Sequence, residues 1–420
     1  MGLTARSPRS PHGDSGGAAP ARLPVTMRGE LASLSLAAFA SMMSMRICDP
    51  LLPALAREFA TTTGGAAGVI SAFAIAYGVL QLAYGPLSDR YGKFRVVSIA
   101  VVGCAVANGA AAFAPSLDLL VSARAATGGA AAAVIPLTMA WIGDAVPYAQ
   151  RQEALARLLG ATVLGMIAGQ WSGGLLADTL GWRSVFVVLA VLFVAVAIAM
   201  RAASRDVAAV ATLAHGDTRG YWTRIRGVLA TPWAREVLAL AFIEGAAGYS
   251  AFAFVPSYLH ARFGLAMTWA GAVLALYGVG GFAYSRLARA LLRRLGEAGL
   301  ARAGGLLLGV AFAVLAVMPD WRLAVPACLV GGLAMYMLHN TLQTHATQMV
   351  PAARGTAVSL FACTLFLGQS LGVAGASFIV DHASASVVFV IAALTLPLLA
   401  AWFARRIGTA GAPDRTHAVE

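Results

Sequence analysis

The stretch GPLSDRYGKFR, residues 85–95, is a short polar segment that joins two apolar runs, at about 65–87 and 96–114. Each run is long enough to cross the hydrocarbon layer of a bilayer as a helix. Glycine permits a tight turn, and an aspartate can accept hydrogen bonds from the N-terminus of a neighbouring helix. The stretch therefore predicts a tight loop between two membrane spans. Its candidate residues are Gly85, Asp89, Arg90, Gly92, Lys93 and Arg95.

Similar apolar runs extend over all 420 residues. Hydrophobic residues make up 59% of the chain and charged residues 11%, and the mean hydropathy is +0.77. Soluble globular proteins carry about 25% charged residues. The sequence therefore predicts an all-α membrane protein with twelve transmembrane helices, which we call spans 1–12. They lie at about 31–53, 65–87, 96–114, 117–142, 155–176, 185–203, 237–259, 268–286, 299–318, 323–349, 356–380 and 386–403.

The basic residues indicate which span ends share a side of the membrane. The net charge is +12, and most of the 30 Lys and Arg residues lie in the tails and in the connections from even- to odd-numbered spans. Basic residues of short loops stay cytoplasmic, so we expect both termini in the cytoplasm. We also expect Asp144, at the cytoplasmic end of span 4, to pair with the loop arginines near residues 90–95. Topology accounts for the charge, and we expect no nucleic-acid partner. The four residues on the opposite side are Arg57, Arg183, Arg262 and Arg322.

The sequence contains no recognisable metal-binding or nucleotide-binding pattern. The four cysteines have neither a CxxC pair nor metal-type spacing, and no HExxH or Walker-A sequence occurs. We therefore expect no metal, no cofactor and no enzymatic activity. Arginine and alanine are abundant and lysine is scarce, which suggests a GC-rich bacterial genome and hence the inner membrane.

A duplication relates the two halves of the chain. The only long polar connection, 204–235, divides the spans six and six, and matching residues recur in the same order at nearly one offset. The matches at an offset of 203 include Arg151 with Arg354, Gly165 with Gly368, Gly169 with Gly372, Asp178 with Asp381 and Phe186 with Phe389. The predicted units are a polar cytoplasmic tail (1–28), an N-terminal six-helix bundle (29–203), a cytoplasmic linker (204–235), a C-terminal six-helix bundle (236–404) and a second tail (405–420).

Three motifs resemble those of the major facilitator superfamily. Residues 85–95 resemble its signature loop G-x3-D-R-x-G-R-[RK], which implies that this loop, together with Asp144, acts as a conformational switch. The sequence RAATGG from Arg124 resembles the R-x-x-Q-G motif of proton-coupled members, with Thr127 in place of Gln. In span 5, residues 165–174 resemble the antiporter motif G-x3-G-P-x2-G, with Gln170 in place of proline. Span 1, with DPLLP from Asp49, looks most like the twelve-span drug/proton antiporter branch, which includes the arabinose-efflux-like permeases.

This resemblance implies the major facilitator fold, two pseudo-symmetric six-helix bundles with the substrate site between them. It also implies a monomer, with a small-molecule substrate, protons and the lipid bilayer as partners. In span 5 the glycines Gly165, Gly169 and Gly173 form one smooth helix face that permits close packing. In the resembling antiporters this face seals the two halves against leakage.

Two charges stand in the middle of span 1, where MRICDPLLP occupies residues 45–53. Arg46 and Asp49 are three residues apart and so lie on one helix face. Pro50 and Pro53 are expected to break the helix there, and broken helices are tolerated where they line a cavity or are buried in protein. These features point to the central cavity, with a structural Arg46–Asp49 salt bridge as the alternative.

Further ionisable groups occur at membrane depth, where a charge costs about 2.5–3.5 kcal/mol on insertion scales. Asp49 matches the acidic position of the resembling antiporters and is the first candidate for the proton carrier. Glu244 is the second, because its repeat counterpart is the neutral Ser41. Arg124 is the candidate partner that modulates the carboxylate. Candidate cavity residues, any of which could instead be packing residues, are His339, Asn340, Gln343, Tyr249, Trp171 and Gln170.

The sequence thus predicts a secondary active transporter that works by alternating access. The preferred function is proton-coupled efflux of a drug-like or small amphipathic metabolite. Proton-coupled uptake of an organic anion is the alternative, because Arg46 and Arg124 could bind a carboxylate. A non-transporting membrane sensor is a third possibility, but the tails are short for an output domain.

Overall fold

A computed structural model describes residues 24–204 and 218–410. The predicted tails therefore lie mostly outside the described residues, as do residues 205–217 of the predicted linker. Within the described ranges the chain is helical and contains no strand, which confirms the predicted all-α fold class. The six spans of the first half occupy Thr26–Glu58, Thr63–Tyr91, Lys93–Ala112, Leu117–Ala145, Tyr148–Thr179 and Trp182–Ala203.

The second half begins with a helix that was not predicted, Thr218–Ala230, which we call the linker helix. Five long helices follow rather than six, because spans 8 and 9 run together as Met267–Val317. Gly296 lies inside this helix at φ 64° and ψ 176°, so the chain turns there and the two predicted spans remain separate. The long helices of this half occupy Pro232–Phe263, Met267–Val317, Trp321–Gln348, Pro351–His382 and Ala385–Ile407.

The duplication is visible in the packing of the spans. A Cβ added to Gly165 of span 5 would lie 2.2 Å from the carbonyl oxygen of Phe39 in span 1. At the repeat offset, a Cβ on Gly368 of span 11 would lie 2.1 Å from the carbonyl oxygen of Phe242 in span 7. Backbones can approach this closely only where the residue is glycine. The two halves therefore repeat the same helix contact.

Ion pairs show which span ends share a face. On the face that carries residues 85–95, which we call the loop face, Lys93 pairs with Asp144 and His345 with Glu297. On the opposite face, which we call the far face, Arg183 pairs with Glu58. The loop face carries the two ends of the helical part of the chain, near Val25 and Ile407.

The two halves meet closely towards the far face. Span 5 packs on span 8 there, because a Cβ on Gly174 would lie 2.1 Å from the carbonyl oxygen of Met267. Span 2 packs on span 11, where Ser71 and Ser370 exchange side-chain to carbonyl hydrogen bonds of 3.2 and 3.0 Å. Towards the loop face, spans 5, 8 and 11 line a cavity together with spans 4 and 10. The halves are therefore closed at the far face and open at the loop face.

Candidate functional site

Span 1 breaks beside its two charges. Its first helix, Val25–Arg46, ends where Pro50 and Pro53 cannot donate hydrogen bonds to the preceding turn, and a 3-10 turn at Asp49–Leu51 follows. Arg46 Nη1 lies 3.7 Å from Asp49 Oδ2, with both side chains almost fully buried. Neither carboxylate oxygen of Asp49 accepts a hydrogen bond from the described residues. The pair predicted on one helix face is thus an ion pair with spare acceptor capacity.

Arg124 contacts the broken end of span 1 rather than the carboxylate of Asp49. Its Nη2 donates to the carbonyl oxygen of Ser44 at 2.9 Å, and its Nη1 donates to Ser44 Oγ at 3.3 Å. Its guanidinium carbon lies 4.4 Å from the ring centre of Phe73. A cation beside the last carbonyls of a helix is favourable. In this structure Arg124 therefore stabilises the helix end, and any effect on Asp49 acts through space.

Glu244 and His339 form the second buried pair. Glu244 is fully buried in span 7, and its Oε2 lies 3.0 Å from Nδ1 of His339 in span 10. Its other oxygen has no hydrogen-bond partner among the described residues. The π-helical turn Gly245–Tyr249 begins directly after it, and such turns occur frequently at functional sites. The two residues that the sequence singled out separately are therefore direct partners.

Tyr249 connects the two pairs. The guanidinium carbon of Arg46 lies 5.2 Å from the centre of the Tyr249 ring, a cation–π contact between the halves. The Tyr249 ring also contacts His339, with ring centres 6.1 Å apart in an edge arrangement. We call Arg46, Asp49, Glu244, Tyr249 and His339 the central charge cluster. It joins span 1 of one half to spans 7 and 10 of the other.

A cavity of about 850 Å³ lies between the halves, lined by residues from the loop-face part of spans 4, 5, 8, 10 and 11. Two of its lining residues, Tyr336 and Asn340, flank His339 along span 10. His339 retains 13% side-chain exposure, whereas Glu244 has none. The wall from the first half is apolar, with Met139, Ala156, Leu159, Gly160 and Val163. The wall from the second half is largely polar, with Tyr284, Ser285, Arg286, Tyr336, Asn340, Gln343, Thr344 and Thr347.

Only some of the other predicted cavity residues line the cavity. Asn340 and Gln343 line the cavity. Gln170 is buried, and its backbone carbonyl packs against Gly271 of span 8 where the halves touch. Trp171 is 48% exposed on the outside of span 5 and is not among the residues that line this cavity. Sequence reasoning missed Thr344 and Thr347, since small hydroxyl residues in a span carry no distinctive signal.

The glycine face of span 5 packs within one half. Cβ atoms added to Gly165, Gly169 and Gly173 would lie 2.2–2.4 Å from carbonyl oxygens of span 1. The expectation that this face seals the two halves is therefore wrong for these three glycines, because the face turns toward its own bundle. The neighbouring Gly174 makes the contact with the other half instead.

The loop of residues 85–95 ends span 2 at Gly92, which has φ 85°, a conformation that glycine adopts without strain. Lys93, rather than an arginine, pairs with Asp144 of span 4. Arg90 lies over the ring of Tyr91, and Arg95 and Gly85 are exposed. Asp89 is exposed and makes no hydrogen bond or ion pair with residues 24–204 or 218–410. The switch role of this loop stays a prediction.

Comparison with known proteins identifies the family. The family model of the Major Facilitator Superfamily matches residues 34–372. The chain belongs to this superfamily. It is therefore a multi-pass membrane transporter and not an enzyme. The fold agrees, since a crystal structure of a variant of the nucleoside transporter NupG superposes with a TM-score of 0.75 at 15% identity, covering 90% of this chain and 99% of that one.

Two curated relatives carry names that describe drug resistance. The chloramphenicol resistance protein of Streptomyces lividans is 28% identical over 334 residues, which cover 79% of this chain and 84% of that protein. The multidrug resistance protein Stp of Mycobacterium tuberculosis (strain CDC 1551 / Oshkosh) is 31% identical over 159 residues, which cover 38% of this chain and 30% of that protein.

Proposed function

We propose that this transporter exports an uncharged amphipathic solute in exchange for protons, which bind at the central charge cluster. The observation that carries the proposal is the pair Glu244–His339, a fully buried carboxylate with one free oxygen, held by a histidine beside the cavity. A buried polar atom without a partner is costly in a protein interior. A bound proton would supply that carboxylate with a donor group of its own.

His339 gives protons a path to Glu244. The carboxylate is fully buried, whereas the imidazole is partly exposed beside Tyr336 and Asn340. Histidine changes its charge nearer to neutral pH than any other side chain and serves as a proton shuttle in many proteins. The imidazole can therefore receive a proton from the cavity and pass it to Glu244.

The cavity lining favours a solute that is apolar on one side and uncharged but polar on the other. Hydroxyl and amide groups of the second half face aliphatic side chains of the first half. No carboxylate is among the residues that line this cavity, and Arg286 is the one cation among them. A permanent cation would find no counter-charge there, so the lining does not favour it.

Coupling follows if solute and proton favour different states of the same site. Residues that line the solute cavity flank His339, so solute binding and the charge of the Glu244–His339 pair act on one segment of span 10. A ligand shifts a conformational equilibrium only through its different affinity for the two states. We propose that solute binding favours the unprotonated pair and that proton binding favours the solute-free state.

Drug-resistance relatives support export over uptake. The chloramphenicol resistance protein of Streptomyces lividans resembles this chain over most of its length. The basic loop face, which the charge distribution predicts to be cytoplasmic, is the side towards which the cavity lies. Anion uptake, the alternative, rests on Arg46 and Arg124 as the cations that would bind a carboxylate. Arg46 and Arg124 are almost fully buried and already hold other partners.

Inverted membrane vesicles test the proposal. Respiration acidifies the vesicle lumen, a quenched dye reports the proton gradient, and chloramphenicol, tetraphenylphosphonium or benzoate is then added. We expect chloramphenicol to dissipate the gradient with the wild-type protein but not with Glu244→Gln. The matched control is Glu297→Gln, which removes a carboxylate from a second Glu–His pair outside the cluster and should behave as wild type.

Two outcomes would contradict the proposal. If Glu244→Gln responds to chloramphenicol like the wild-type protein, the Glu244–His339 pair does not carry the coupled proton. If only benzoate produces a wild-type signal, organic-anion transport replaces solute export.

A further inference from the structure

Asp381 binds the start of a helix in the other half. It lies at the far-face end of span 11, and its Oδ2 accepts a hydrogen bond of 2.6 Å from Thr62 Oγ1. Its Oδ1 accepts a hydrogen bond of 2.9 Å from the backbone N–H of Gly64, in the first turn of span 2. The first N–H groups of a helix have no partner within the helix, and a carboxylate is favourable beside them.

Asp178 makes the equivalent contact in the opposite direction. It lies at the far-face end of span 5, in the first half. Its Oδ2 accepts hydrogen bonds of 2.7 Å from both the backbone N–H and the side-chain hydroxyl of Thr268. Thr268 belongs to the first turn of span 8, in the second half. Each half thus contributes one aspartate and one helix start.

The two contacts are related by the duplication. Asp178 and Asp381 are one of the residue pairs that match at an offset of 203. Each contact lies beside a glycine at which the same two helices touch. Gly174 packs against Met267 near Asp178, and Gly64 packs against Ser377 near Asp381. Opening the far face separates these helices, so it must break the hydrogen bonds as well as the packing.

We propose that Asp178 and Asp381 are a pair of latches that hold the far face closed and set the balance between the two states of the transport cycle. We name them the far-face latches. They are positioning residues for transport, since they act on the equilibrium between states and lie apart from the cavity and the central charge cluster. The proposal rests on alternating access between the halves and does not depend on proton coupling or on the identity of the solute.

Spin-label distances across the far face test the latches without any solute. Labels are placed at Phe113→Cys and Val317→Cys, two exposed far-face positions, one in each half. The four native cysteines are buried and are replaced by alanine, with transport confirmed. The wild-type protein should give mainly one short distance. Asp178→Ala and Asp381→Ala should each raise the ratio of long to short distances roughly fivefold, the effect of losing a helix cap.

The double variant Asp178→Ala/Asp381→Ala should raise the ratio roughly twenty-five-fold, because the two contacts lie on different span pairs and should act independently. Asp178→Asn and Asp381→Asn should retain the short distance, since asparagine caps a helix start about as well as aspartate. The matched control is Asp320→Ala. Asp320 also lies at the far face and accepts from the backbone N–H of Arg322, but this contact stays within one half.

The proposal is overturned if both alanine variants give the wild-type distance distribution, or if Asp320→Ala changes it as much as they do. Should an alanine variant fail to fold, Thr62→Val and Thr268→Val remove the hydroxyl donors and must lengthen the distances in the same direction. A change in these distances with no effect on proton exchange in vesicles would support the latches and count only against the proposed coupling.

Discussion

At the residue scale, the ion pair of span 1 combines two effects that oppose each other. Burying Arg46 and Asp49 removes both charges from water, and their attraction at 3.7 Å offsets part of that cost. The pair therefore contributes little net stability, but each member becomes costly if its partner is removed. Both carboxylate oxygens lack hydrogen-bond donors within the described chain, so the attraction to Arg46 is the main compensation.

We predict that Asp49→Asn destabilises the protein by about 3–5 kcal/mol, because the Arg46 guanidinium is left buried without a counter-charge. The double variant Arg46→Gln/Asp49→Asn should recover most of that stability, since no unpaired charge remains. Thermal unfolding of the purified proteins in one detergent measures both. Equal loss of stability in the single and double variants would contradict this account of the pair.

At the element scale, glycines determine how closely spans 1 and 5 pack. A Cβ on Gly169 would lie 2.4 Å from the carbonyl oxygen of Met43. This backbone atom cannot move away by a rotamer change, as a flexible side chain could. We predict that Gly169→Ala costs about 1–3 kcal/mol of stability, the usual cost of overpacking. Gly160→Ala is the control on the same helix, because no atom of a neighbouring helix lies within 4 Å of its added Cβ. Thermal unfolding should separate the two variants, and equal midpoints would refute the packing account.

The linker helix supplies a hydrogen bond that a proline removes from span 2. Pro86 lies inside the helix Gly68–Tyr91 and has no N–H for the carbonyl oxygen of Leu82. The hydroxyl of Tyr221, on the linker helix, donates to that oxygen at 2.6 Å. We predict that Tyr221→Phe costs about 1 kcal/mol, the usual net value of a hydrogen bond. In a Pro86→Ala background the same change should cost less stability. A double-mutant cycle that shows no coupling would mean that the Tyr221 hydrogen bond does not compensate for Pro86.

Much of this element-scale architecture follows from the sequence. Local composition and residue spacing, which can be read from one sequence, predict the apolar spans of about twenty residues and the break at Pro50. They also reveal the duplication. The Glu244–His339 contact could not be predicted in this way, because it joins residues 95 positions apart on two different spans. Asp178 and Asp381 were visible as matching residues, but their helix partners lie in the other half and only the fold identifies them. Gly296 was likewise inconspicuous among 45 glycines, although it separates spans 8 and 9.

At the scale of the whole molecule, the structure shows one arrangement of the two halves of a major facilitator transporter. Close contacts between span 5 and span 8, and between span 2 and span 11, shut the far face, while the cavity opens at the loop face. The central charge cluster lies where the halves meet and contacts both of them. The cluster is therefore well placed for its protonation to influence which face opens. This influence is the central claim of the proposed function.

Proton release on solute binding measures that claim most directly. The purified protein is held in a weakly buffered detergent solution with a pH-sensitive dye, and chloramphenicol is added. We predict that the wild-type protein releases protons as it binds the solute, and that Glu244→Gln binds the solute with little or no release. If the wild-type protein binds chloramphenicol without releasing protons, or if Glu244→Gln releases as many as the wild-type protein, the Glu244–His339 pair does not couple export to protons.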